Sequence, residues 1–278
     1  MTRFINNTKT AVLLAALFGL LVWVGSFWGT QGMIIAGLFA VAMNFGAWFF
    51  SDRIAIASMR GREVDERTAP DLHQMVRRLA DRAGLPMPRV YICPHEAPNA
   101  FATGRSPKKA AVAVTHGALR LLSYEELEGV IGHELAHIRN RDTLTSCIAA
   151  TIAGIFSMLA YWGFWFGMGN RQGGNPLALI GVVLLGALGA ALIKAMISRS
   201  REYVADADGA KIAGSPHGLA SALRRLEAYA KRIPMQNPNP AMNNLFIIEP
   251  FMGQALTSLF ASHPPTEKRI AALMEQAR

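Results

Sequence analysis

His133, Glu134 and His137 lie in the stretch VIGHELAHIRNRD, Val130 to Asp142, and their side chains together could hold a metal ion and move a proton. On a helix each residue advances about 100°, so His137 sits about 40° and Glu134 about 100° from His133, within one arc. Neutral imidazoles at positions i and i+4 form a recurrent Zn2+ chelate, and a glutamate beside them can take a proton from the metal-activated water. Five residues can also match such a pattern by chance on an ordinary amphipathic helix. A catalytic zinc further requires a third protein ligand and an open position for water.

No histidine follows His137 at close spacing, since the next residues read IRNRDTL. The best acidic source is SRSREYVADADG, in which Glu202 and Asp206 are four apart and share a helix face. One of the two can ligate while the other hydrogen-bonds a ligand imidazole and fixes its tautomer. Because the histidines and these acids lie in separate segments, neither segment contains a whole site. Asp142, five residues after His137, either orients that imidazole or ends the helix.

The elements that must position these groups are legible. Ser123 followed by Glu126 forms a capping box that opens the histidine helix. Leu127, Ile131, Leu135 and Ile138 make its core face, and Gly129, Gly132 and Ala136 leave a smooth face that another helix can approach. DLHQMVRRLADRAG has helical periodicity and Gly84 to close it, and HGLASALRRLEAYAKR gives another amphipathic helix. PRVYIC and KAAVAVT read as short strands, and the chain from Ile233 to Pro265 reads as a long loop rich in Pro and Asn.

Apolar residues make up 51% of the 278, and they are concentrated in blocks. Thr10 to Trp28 and Met33 to Phe50 contain no charge, and Thr143 to Gly169 with Pro176 to Ser198 contain one, Lys194. Each block can cross about 30 Å of hydrocarbon, which predicts four transmembrane helices. The first block outruns the h-region of a cleavable signal peptide and is followed at once by a second span. All five tryptophans fall within the blocks, several near their ends.

Two Lys/Arg precede the first span, fourteen lie between Ser51 and Asp142, and ten lie from Arg199 onward. The positive-inside rule then puts both termini and both soluble segments in the cytoplasm, with only GTQG and GMGNRQGGN on the far side. The net charge of +9 borders the spans and forms no basic stripe interleaved with aromatics, so the expected partner is the lipid bilayer and no nucleic acid. Cys93 and Cys147 show no metal spacing, and a cytoplasm-facing pair implies no disulfide.

HELAHIRNRD, REYVAD, NAFATG (Asn99 to Gly104) and SHPPTEKRI together resemble the HtpX family of bacterial inner-membrane zinc metalloproteases, relatives of the CAAX prenyl proteases. The resemblance covers nearly the whole chain, including the order of the two span pairs. It implies one zinc held by His133, His137 and Glu202, Glu134 as general base, and a role in membrane-protein quality control and stress response. Glu202 suits the glutamate-zincin pattern better than Asp206, which then becomes the partner of a ligand imidazole. His116, in VTHGAL, departs from the small or hydroxyl residue that the family pattern implies there, which bears on substrate preference.

The expected fold is a mostly α membrane protein: four transmembrane helices and a cytoplasmic α+β, zincin-like catalytic domain built from two chain segments. Residues 1–50 hold the tail and first hairpin, and 51–142 the first catalytic part with the HExxH helix. Residues 143–198 hold the second hairpin, and 199–278 the second catalytic part. The expected function is zinc-dependent endopeptidase, acting on cytoplasmic regions of membrane proteins.

Roles remain for other residues. The strand Ala110 to Thr115 reads either as an open edge that pairs with extended substrate through Ala111, Val112 and Ala113, or as a plain core strand; peptide-bond chemistry beside a metal favours the edge. The Asn99 amide could hold substrate backbone. His263, stiffened by Pro264 and Pro265, could donate to the oxyanion or instead cap the C-terminal helix, with Arg201 and Tyr203 as competing donors and Arg269 anchoring the turn or contributing charge. His73, His95 and His217 receive no role. An intramembrane protease is disfavoured, because charged residues flank the motif; a non-catalytic interaction protein that keeps the motif for structure is separated from the enzyme by zinc content together with a proteolysis assay.

Overall fold

The computed structural model describes residues 2–26, 29–143, 199–232 and 264–275. All of the second apolar pair except Thr143, and His263 with the loop before it, lie outside the described residues. Helices α1 (Thr2–Gly25) and α2 (Gly29–Ser58) form an antiparallel hairpin, in which Asn44 Nδ2 donates to the Leu14 carbonyl at 3.0 Å. Gly29, with φ +71°, starts α2, so GTQG forms the first turn of this helix and is not the link between helices. Among the described residues one stretch, Gly29–Phe50 of α2, is long and apolar enough to cross a membrane; α1 carries the shorter apolar stretch Leu14–Trp23. Helix α2 passes through positions 50 and 51 without a break.

Past Phe50, α2 continues as the cover of a four-stranded sheet. The strands are β1 (Arg62–Val64), β2 (Arg89–Cys93), β3 (Ala100–Thr103) and β4 (Ala111–Thr115), in the order β1-β2-β4-β3. Only β2 and β4 run parallel. The strand period of two sends Tyr91, Cys93, Phe101, Ala111 and Ala113 to one face, where they pack on Ala55, Ile56 and Met59 of α2. Val90, Ala100, Ala102, Val112 and Val114 take the other face and join the main core. Asp52 pairs with Arg89 at 2.9 Å, and His95 Nε2 lies 3.0 Å from the Met59 carbonyl oxygen, so the end of α2 is tied to the sheet at two further points.

Helix α3 (Pro70–Ala83) buries Leu72, Met75, Val76, Leu79, Ala80 and Ala83 and ends on Gly84 in the left-handed conformation, as its periodicity predicts. A short helix α4 (His116–Leu121) is capped by Thr115, whose side chain accepts from the Ala118 N–H, and His116 is exposed. Helix α5 (Tyr124–Asn140) opens with the full Ser123–Glu126 capping box.

Three helices from the C-terminal segment complete the core: α6 (Arg199–Ala213), α7 (His217–Arg232) and α8 (Thr266–Glu275). The decisive packing is α5 against α6. A Cβ on Gly132 would stand 2.7 Å from the Gly209 carbonyl oxygen, and one on Gly209 would stand 2.7 Å from the His133 Cα. The two backbones therefore approach as closely as they do only because both positions are glycine.

The expectation that β4 is an open edge is corrected here. Ala111, Val112 and Ala113 are fully buried, with β2 bonded on one side and β3 on the other. The edge strands are β1 and β3, and the edge next to β4 is β3. KAAVAVT has a buried character on both faces, which suits a central strand, and such a strand has no backbone groups left for a substrate.

Candidate metal centre

Helix α5 supplies both imidazoles from adjacent turns. His133 Nε2 and His137 Nε2 stand 3.1 Å apart, aimed at a common point. Glu202, from the first turn of α6, closes the set: its Oε2 lies 3.7 Å from His133 Nε2 and its Oε1 3.5 Å from His137 Nε2. Ligands about 2.0–2.1 Å from a tetrahedral metal are about 3.3 Å from one another, so these separations fit a single ion. One ligand atom from each of the three lies within 4.8 Å of the others.

Each imidazole is also held from its far side. His133 Nδ1 stands 2.9 Å from Asp206 Oδ1, short of good hydrogen-bond alignment, one helical turn after Glu202. His137 Nδ1 lies 3.2 Å from Asp142 Oδ2. This places Asp206 and Asp142 behind the two histidines. Asp142 also follows the helix end, where Arg141 takes the left-handed conformation and its N–H reaches the His137 and Ile138 carbonyls. Orientation and termination are thus both present at that turn.

Arginines back the two aspartates. Arg269 of α8 is buried and grips Asp206 in a fork, Nε to Oδ2 at 2.8 Å and Nη2 to Oδ1 at 2.6 Å. Burial alone would raise the Asp206 carboxyl, but this fork and the charge of Arg269 outweigh it and hold the group below the usual carboxylate range. Arg201 Nη1 lies 3.5 Å from Asp142 Oδ1. For His137, burial favours the neutral ring, but the Asp142 bond and the charges of Glu202, Asp142 and Glu134 outweigh it and push the group up to about 9. A metal ion must displace that proton to bind.

Glu134 is buried, and its Oε2 accepts the Ala102 N–H at 2.7 Å. Burial raises its carboxyl above the ordinary value against the pull of His133 and His137, which makes it a stronger proton acceptor than an exposed glutamate. The Ala102 contact follows from the register of β3. Thr115 donates its N–H to the Asn99 carbonyl at 2.9 Å, so by antiparallel alternation Phe101 and Thr103 also bond to β4 while Ala100 and Ala102 turn their backbone groups outward. The free side of the edge strand thus faces the glutamate.

Sequence reading missed this strand because AFAT is short, rich in alanine and without alternation; its position inside NAFATG was the available signal. Asn99 is buried at the head of β3, where its N–H donates to Thr115 Oγ1 at 2.8 Å. Arg269 is a buried partner of Asp206, so of its two expected parts it contributes charge to the site. Arg201 reaches Asp142. His263 lies outside the described residues.

A buried and a half-buried imidazole, a carboxylate ligand from a second helix and a glutamate against an edge strand define a metallopeptidase site. Residues 66–277 match the model of peptidase family M48. The chain is 52% identical to a protease HtpX homolog of Nostoc punctiforme over 97% of its length and 96% of that protein. It is likewise 52% identical to one of Pyrococcus furiosus, covering 97% and 95% of the two chains, and 50% identical to one of Burkholderia ambifaria, covering 98% of each. The crystal structure of S. mikatae Ste24p shares the fold, with a TM-score of 0.51 at 20% identity, over 98% of this chain and 66% of that one. The chain belongs to peptidase family M48, within its HtpX group, and is a metalloprotease.

Three substitutions separate the contributions to metal binding. Glu202→Ala should lower bound metal below half-occupancy and keep the fold. Asp206→Ala should lose less metal and lower the melting temperature, since the buried Arg269 loses its forked carboxylate partner. Gly209→Ala should lose both, because α6 must move away from α5. Metal content and thermal unfolding of purified variants check this, and full metal in Glu202→Ala with loss in Asp206→Ala would reverse the ligand assignment.

Proposed function

We propose that the protein is a zinc-dependent endopeptidase of the bacterial inner membrane that cleaves cytoplasmic regions of misfolded or damaged membrane proteins. The observation that carries this reading is the contact of Glu134 with the outward edge of β3, beside the two imidazoles. Zinc, held by His133, His137 and Glu202, would supply the Lewis acidity that acidifies a water and polarises a carbonyl.

The chain's own groups do the rest. The outward N–H and carbonyl of Ala100 and the outward carbonyl of Ala102 can pair with an extended substrate and lay its scissile bond beside the histidines. The Ala102 N–H holds Glu134 Oε2, leaving Oε1 to take a proton from the attacking water. As the new C–O bond forms and the C–N bond breaks, Glu134 passes that proton to the leaving nitrogen, which departs as an amine. His263 remains our donor to the developing oxyanion, with Arg201 and Tyr203 as competitors.

Glu134→Gln should keep its zinc and lose proteolysis by roughly a thousandfold or more, since the amide cannot accept the proton. In the same assay His263→Ala should bind zinc normally and lose roughly a hundredfold in turnover, with a smaller change in KM. Near-normal turnover in either, at full zinc content, overturns that residue's role.

The orientation is a second part of the proposal. It is supported by Arg53, Arg60 and Arg62 after the second apolar block, Arg139 and Arg141 before the third, and Arg199 and Arg201 after the fourth. An impermeant thiol reagent applied from outside the cell should reach a cysteine placed at Asn170 and miss one placed at exposed Lys108; the opposite pattern reverses the topology.

A further inference from the structure

The apolar stretch of α2 ends at Phe50, with Asp52 and Arg53 directly after it. With α2 as a span, the boundary between hydrocarbon and water therefore falls near Trp48 to Asp52, where a tryptophan is favoured. Arg105, from the loop after β3, is fastened at this level. Its Nη1 donates to the Phe49 carbonyl at 3.0 Å, and its guanidinium lies 4.1 Å from the Phe49 ring centre and 5.6 Å from that of Trp48. Next to it the Gly104 carbonyl accepts from Thr143 Oγ1 at 3.0 Å.

Both contacts lead to the catalytic groups by short stretches of chain. Ala102, which holds Glu134, precedes Arg105 by three residues, and Thr143 follows His137 by six. Three residues span at most about 10 Å, so with the arginine side chain added Ala102 stands no more than about 20 Å above Phe49. An extended substrate covers that height in about six residues.

We infer that the substrates of this site are the first residues to emerge from the bilayer: peptide bonds within about ten residues of a membrane span, with Arg105 seating the β3 edge at that height. This rests on the protease reading and on α2 as a span. A tether of matching length presents the scissile segment at the highest effective concentration. Beyond that length the concentration falls roughly as the −3/2 power, about tenfold between six and thirty flexible residues.

The test uses the full-length protein in proteoliposomes with two single-span substrates at equal density. Each carries one unstructured segment of mixed sequence, after a Gly/Ser spacer of six or of thirty residues, and the same segment is supplied separately as a soluble peptide. The short tether should be cleaved about tenfold faster than the long one at substrate densities below saturation, with cut sites mapped by mass spectrometry. Equal rates, or faster cleavage of the long tether, would overturn the inference while leaving the protease reading intact if the soluble peptide is cut. No cleavage of any of the three overturns both. In Arg105→Ala the ratio between tethers should fall toward one; an unchanged tenfold ratio removes Arg105 as the seat.

Discussion

The close crossing of α5 and α6 at Gly132 and Gly209 is the constraint on which the centre depends. Helices packed through ordinary side chains keep their axes 8–10 Å apart. A glycine on each side removes the atoms that would hold the backbones off, and a Cβ at either position would stand 2.7 Å from the other helix's backbone. This closeness lets Glu202, a residue from the far side of the second apolar pair, reach the two imidazoles. Metal–ligand distances tolerate only about 0.2 Å, so a modest shift of α6 would remove the third ligand without unfolding either helix.

The charges around that crossing explain why a divalent cation fits. Glu134, Glu202, Asp206 and Asp142 face Arg201 and Arg269 in a buried setting. With the imidazoles neutral and the four acids ionised, two negative charges are left over, and a divalent ion cancels them. Two arms run outward from the site: His133 to Asp206 to Arg269, and His137 to Asp142 to Arg201. Such outer partners fix ring orientation and raise ligand basicity. Glu134 is held separately, by backbone, which leaves its carboxylate available for proton transfer.

Much of this was legible in the sequence because it depends on local periodicity. The capping box at Ser123, the i and i+4 histidines, the face of Gly129, Gly132 and Ala136, and the paired acids at Glu202 and Asp206 all follow from helical spacing. The edge strand was not legible. AFAT has low strand propensity and no alternation, and it becomes the edge only through pairing with β4 fourteen to eight residues away. KAAVAVT looked like the better edge because its strand propensity is higher, yet that property suits a central strand equally. The seating of Arg105 on Phe49 was likewise hidden, since it joins residues far apart in sequence.

The central claim is that one metal ion is shared by two imidazoles and one carboxylate from separate parts of the chain. X-ray absorption at the zinc edge, on full-length protein loaded with one zinc per chain, tests it most directly. The account predicts only nitrogen and oxygen neighbours at about 2.0–2.2 Å, with two imidazole signatures. A sulfur neighbour at about 2.3 Å, or a signature of three or more imidazoles, would contradict it.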